Sequence, residues 1–276
     1  MTEQRKEVVI EAGHLAREYW TDLWRFRQLL LLLAWRDILI RYKQTFFGIA
    51  WAVARPVLSV VIFTFLFSNI AKLPSGGVPY PVFVLAAMLP WQFFSTALAD
   101  AGNSLVNNAN MVSKVYFPRM IVPASAIMVG LVDLLVGLAM LAALMAWYKV
   151  GLGSRFPAFP VFLALGIVLC LGAGLWAAAL NVKYRDVKHL LPFIVQLGMY
   201  ASPVGYSSQT VPAAWQGWYL INPMVGVIEG IRWAFFGVEW RLLPEALAWS
   251  CAWAVVLLGS GIWYFRRTER LFADVI

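Results

Sequence analysis

The chain has 276 residues, of which 62% are hydrophobic and 13% charged, with a mean hydropathy of +0.73. That is more apolar surface than one soluble core of this length can hide, so the chain is read as an integral membrane protein. A net charge of +8 would point to nucleic acid in a soluble protein. Here the basic residues flank apolar runs, where anionic lipid headgroups attract them, and no nucleic-acid partner is expected.

Runs of about 20 apolar residues recur, the length a helix needs to cross about 30 Å of hydrocarbon, and they lack the alternation of barrel strands. The expected fold class is an all-α integral membrane protein. The first residues, MTEQRKEVVIEAGHLAREYW, have no continuous apolar core or small-residue cleavage site, so they do not read as a cleaved signal and are expected to stay in the cytoplasm. Thr21-Asp22 can cap a helix, and Leu23, Phe26, Leu30 and Leu33 follow at helical spacing. The apolar run from Leu29 to Trp35 is only 7 residues, too short to span. The spacing predicts an amphipathic interface helix over 21–45, its Arg and Lys stems reaching for water.

A first span is predicted over 47–71, with Arg55-Pro56 in its early turns. Arg55 either snorkels to the headgroups or faces a wet cavity, because a charge left alone there costs several kcal/mol. A loop rich in Pro and Gly leads to a second span over 80–99, ending at Asp100. The polar stretch NNANMVSKVYFPRMIV follows, an elbow between two apolar runs. In it Asn107 and Asn108 can cap a short helix, Val112, Val115 and Tyr116 fall on one face, and Pro118 ends it. The third span, 120–148, carries Asp133 near its middle, either paired, with Arg55 as the candidate, or facing water.

The fourth span, 159–180, has Gly172 and Gly174 for close helix contact, and a second charged elbow, Asn181 to Lys188, follows it. The fifth, 190–206, is interrupted by Ser202-Pro203 and Gly205. The region 207–240 mixes five Trp and Tyr residues with Pro, Glu229 and Arg232. It reads as short re-entrant or interfacial helices rather than an ordinary span. A sixth span, 246–265, ends at Arg266-Arg267. Six crossings put both termini on one side, and the termini and two elbows hold 16 Lys and Arg against 5 in the opposite loops, so that side is cytoplasmic.

No G-x-x-x-x-G-K-[ST] phosphate loop occurs, and His14 and His189 are isolated, so neither nucleotide hydrolysis nor a metal site is expected of this chain. Cys170 and Cys251 both fall in apolar runs and do not suggest a disulfide framework. There is no catalytic pattern for a glycosyl- or acyltransferase. Asp133 alone does not make the row of acids that marks an ion relay. Energy must then come from a partner.

Four stretches together, RDILIRYKQTFFGIAWAVARP, NNANMVSKVYFPRMIVPAS, LNVKYRDVKHLLPFIVQLGMYASPVGYS and INPMVGVIEGIRWAFFG, resemble the permease subunit of type-2 ABC exporters of polysaccharide, which carry O-antigen, capsule and teichoic acid. The resemblance covers nearly the whole chain from about Trp24, in matching order. It implies a homodimer in the bacterial inner membrane, paired with two copies of a separate ATPase subunit that binds ATP and Mg, and moving a lipid-linked polysaccharide. Residues 107–118 then map onto a coupling helix seated in a groove of the ATPase. The segment after the fifth span maps onto outer gate helices. Candidate ATPase contacts are Val115, Tyr116, Phe117 and Arg119, with Tyr184, Arg185 and Asp186 in the second elbow. Aromatic faces can stack on sugar C–H surfaces, so Trp91, Phe93, Phe94, Tyr200 and Tyr206 are channel-lining candidates beside Arg55 and Asp133; ordinary headgroup belts use the same aromatic residues. The rival reading is a type-2 ABC exporter of drugs or small lipids.

Overall fold

A computed structural model describes residues 16–43, 48–184 and 186–272, and among these there are helices and connecting turns but no strand. Two helices come first, α1 (Ala16–Arg25) and α2 (Arg27–Lys43). Thr21 and Asp22 lie inside α1 rather than capping it, and the break falls at Phe26, whose N–H still bonds the Asp22 carbonyl at 2.8 Å. The predicted interface helix is thus two pieces. Its last two positions, 44 and 45, lie outside the described residues. So does position 47, where the first span was expected to begin. From there α3 (Gly48–Phe63) continues into a π-helical extension, Thr64–Ile70.

α4 (Tyr80–Asn107) is the centre of the bundle, buried on every side from Val82 to Trp91. A charge at Asp100 suggested its end, yet the helix runs on to Asn107 because Asp100 is neutralised by Arg41 and Gly102 fits against Ala177. A short helix, α5 (Ala109–Lys114), turns the chain into α6 (Ile121–Trp147). α7 (Phe159–Lys183) returns, and α6 and α7 both pack on α4. Gly172 is where α7 meets the last helix: a Cβ there would stand 2.6 Å from the backbone of Leu257 and Leu258.

α8 (Val187–Ala201) has 15 residues, about 22 Å of helix, and no buried residue. Pro203 forces Ser202 into extended backbone (ψ 152°) and stops it. Two short helices follow, α9 (Ala213–Leu220) and α10 (Pro223–Phe236), before α11 (Leu243–Glu269) closes the bundle against α7 and α10. α10 starts where Asn222 accepts from the Met224 N–H at 3.0 Å with Pro223 in its first turn, and stops at Gly237 in the left-handed region (φ 69°). Among the described residues, α4, α6, α7 with the turn before it, and α11 are long and apolar enough to cross a membrane by length and composition.

Candidate functional site

The elbow between α4 and α6 is a packed joint. Val112 of α5 and Phe117 beyond it are buried with Leu33 of α2, Leu105 of α4, Ile121 of α6, Leu175 of α7 and Phe265 of α11. Burying a Phe or Val side chain contributes about 1.5–3 kcal/mol, so these two side chains seat the elbow in an apolar cluster drawn from five helices. Asn108 stands at the start of α5 but its amide caps nothing there: Nδ2 donates to the Ser104 carbonyl at 2.9 Å and Oδ1 accepts from Arg36 Nη2 at 2.8 Å. Of the face expected to carry Val112, Val115 and Tyr116 together, Val112 turns inward, while Val115 and Tyr116 are 57% and 52% exposed.

Phe117, expected on the outer surface, is in the core at 4% exposure, because Pro118 and the start of α6 turn the chain inward there. Arg119 faces α11. Its guanidinium donates to the Glu269 carbonyl oxygen, and its backbone N–H donates to Glu269 Oε1 at 2.9 Å. The Tyr19 hydroxyl of α1 donates to the same oxygen at 3.3 Å, and Arg266 lies 4.6 Å from the Tyr19 ring centre. Burial, then the Glu269 carboxylate, pushes the Tyr19 phenol above its ordinary value, so it stays a neutral donor. In the second elbow Tyr184 and Asp186 are exposed, and Arg185 lies outside the described residues.

Asp133 meets α2 rather than a helix of its own hairpin. Arg41 Nη1 donates to Asp133 Oδ2 at 2.6 Å, Arg41 Nη2 donates to Asp100 Oδ2 at 2.7 Å, and the Tyr42 hydroxyl donates to Asp133 Oδ1. The candidate partner Arg55 sits on α3, but its side chain lies outside those described. No local signal could have found Arg41, since its carboxylates are 59 and 92 positions away.

At the other end of the bundle is a second polar network. Arg232, fully buried on α10, donates to Glu229 Oε1 at 3.0 Å and to the carbonyls of Tyr206 at 3.1 Å and Val204 at 3.2 Å, and its guanidinium lies 3.6 Å from the Phe83 ring centre. Glu229 Oε1 also accepts from Ser208 Oγ at 2.6 Å and from the Ser208 N–H at 3.3 Å. One ion pair therefore ties α10 to the segment leaving α8. The Glu-x-x-Arg spacing, which puts both on one helix face, was its signal.

The aromatic candidates divide. Trp91 and Phe93 are buried in the core, Trp91 against Gly198 of α8 and Phe93 against Gly130 of α6; Phe94 packs on Trp91 with ring centres 5.9 Å apart. Trp91 and Phe93 therefore hold helices together within this chain. Tyr206 is half-buried, with its ring centre 6.4 Å from that of Tyr219, and Tyr200 is 63% exposed on α8. No cluster of three or more metal-ligating residues occurs among the described residues.

Long apolar helices in one bundle, jointed by a packed polar elbow at one end and braced by a buried ion pair at the other, define a multi-pass helical membrane protein. The chain belongs to the ABC-2 type transporter family, whose model matches residues 28–236; it is a transporter permease and not itself an enzyme. It is 28% identical over 260 residues to the O-antigen export system permease protein RfbA of Myxococcus xanthus, covering 92% of this chain and 98% of that one. It is 24% identical over 249 residues to an RfbA of Klebsiella pneumoniae, covering 90% and 95%. To the polysialic acid transport protein KpsM of Escherichia coli it is 22% identical over 202 residues, covering 70% and 76%.

Proposed function

We propose that this chain is the permease subunit of an ATP-driven exporter that moves a lipid-linked polysaccharide of the O-antigen kind across the bacterial inner membrane. The observation that carries the reading is the end-to-end similarity to an O-antigen export permease, over 92% of this chain and 98% of that relative. Two copies form the passage, each bound to one of two ATPase subunits that hold ATP and Mg. Both termini and both charged elbows face the cytoplasm, as the basic-residue balance supports. α3 with its π-helical extension and α8 complete six spans, α1 and α2 form the interface element, and α9 and α10 with their flanks form the outer gate.

Residues 107–118 couple the ATPase to the spans. ATP closes the ATPase pair, its grooves shift, and a rigid α5 turns the helices it joins; the nucleotide acts by binding one state better. Val115 and Tyr116 offer the exposed apolar contact, Tyr184, Arg185 and Asp186 of the second elbow are further candidate ATPase contacts, and Arg119 carries the motion into α11. The exposed face of α8, with Tyr200, lines the passage.

The test is a pull-down of the tagged chain from its host followed by an ATPase assay of the recovered complex, with and without the host's lipid-linked glycan. Recovery of an ABC ATPase whose hydrolysis rises at least a few-fold with the glycan is the expected result. An ATPase stimulated only by small lipids or drugs would replace the polysaccharide with the rival cargo.

A further inference from the structure

α2 lies along α6, the helix after the elbow, and reaches α4, the helix before it, by side chains. Arg36 meets Asn108 at the end of α4, and Arg41 meets Asp100 two turns earlier, so α2 runs antiparallel to the end of α4. On α6, Leu33 is buried with Ile121 and Val122 at its start, whereas Arg41 and Tyr42 reach Asp133, about 18 Å further along the axis. α2 thus runs along α6 for about half its length and reaches α4 through the Arg36 and Arg41 side chains. A helix lying flat across the end of the bundle could not make all of these contacts.

The contacts differ in kind along α2. Near the elbow they are mainly apolar, with one hydrogen bond from Arg36 to Asn108. At the far end one guanidinium forks between carboxylates on two different helices, with 2.6 and 2.7 Å bonds and all three side chains about one-third exposed. The planar fork gives Arg41 a fixed donor on each side, which a single point charge does not. Exposed ion pairs hold little static stability, so such a fork contributes geometry: it fixes α2 to both α4 and α6 at a level remote from the elbow. α4 and α6 already pack directly on each other, so a push at the elbow moves both. The fork makes α2 follow them.

We propose that Arg41 is a positioning residue for transport, bridging Asp100 and Asp133 so that α2, α4 and α6 move as one lever when the elbow is driven. This rests on the reading of the chain as half of an ATP-driven exporter. Arg41 touches neither nucleotide nor cargo in this role, and its loss lowers transport per ATP rather than hydrolysis itself.

The experiment uses the full permease–ATPase complex in a host strain lacking the chromosomal permease gene, with the host's own lipid-linked glycan as the probe. Surface glycan is measured per assembled complex, and ATP hydrolysis is measured on the same complex purified. Arg41→Gln leaves two uncompensated carboxylates, so the decisive variant is the neutral triple Arg41→Gln/Asp100→Asn/Asp133→Asn, which keeps hydrogen-bonding groups at all three positions. The triple variant is expected to insert and assemble with the ATPase, to hydrolyse ATP within about two-fold of wild type, and to lose about ten-fold or more of surface glycan per ATP. Arg41→Lys is expected to recover part of that ratio. A triple variant with wild-type export per ATP overturns the proposal, as does one that loses hydrolysis in proportion to export. Failure of the wild-type chain itself to give ATP-dependent surface glycan overturns instead the exporter reading on which the proposal stands.

Discussion

Replacing Arg232 by alanine should loosen the end of the bundle where α9 and α10 sit. The guanidinium is 0% exposed and satisfies Glu229, the Tyr206 carbonyl and the Val204 carbonyl at once. Its removal leaves the Glu229 carboxylate buried, with Ser208 as its remaining donor residue, and strips two carbonyls of a donor. Removing one member of a buried ion pair costs about 3–5 kcal/mol. At roughly 2–4 °C per kcal/mol for a chain of this size, the melting temperature of the purified protein should fall by roughly 6–20 °C. The double variant Arg232→Met/Glu229→Gln removes both charges and refills the volume, so it should recover at least half of the loss. Thermal unfolding followed by tryptophan fluorescence reads all three proteins. An Arg232→Ala protein melting within about 2 °C of wild type would show that the network does not hold the α8–α10 segment.

Two elbow substitutions should behave differently. Arg119→Glu breaks the staple to α11 and sets a second carboxylate beside Glu269, so it should lose about 1.5–3 kcal/mol of stability as well as export. Tyr116→Ala trims a half-exposed side chain and should lose export with a smaller fall in melting temperature; wild-type export from both variants, measured as surface glycan, would remove the coupling role. Gly172→Ala places a methyl against the backbone of α11, which cannot rotate away as a side chain can, and should cost about 1–3 kcal/mol in the same thermal assay. No change there would mean that α7 and α11 do not cross as closely as described.

Much of the architecture was legible because hydropathy and helix breakers are local. Pro203 stops α8 by restricting the residue before it, and Pro223 with Asn222 starts α10, each through its immediate neighbours. Asp100 misled for the opposite reason. A lone carboxylate after an apolar run resembles a span boundary, but its charge is balanced by Arg41, 59 positions earlier, and the helix continues. Phe117 and Arg119 looked like surface contacts because they lie in a polar stretch, and which of them turn inward depends on α7 and α11 being packed nearby. Glu269 bonding Tyr19 across 250 positions left no trace in local pattern. The polar gap between two apolar runs placed the elbow, and the packing decided which of its residues face outward.

The central claim is that this chain exports a lipid-linked polysaccharide using a partner's ATP, and surface glycan in a permease-deletion strain tests it most directly. Complementation with this chain and its ATPase is expected to restore glycan at the cell surface. The same cells carrying an ATPase unable to hydrolyse ATP should accumulate the lipid-linked glycan on the inner face. Surface glycan that is unchanged by deleting the permease, or that persists with the inactive ATPase, would contradict the account.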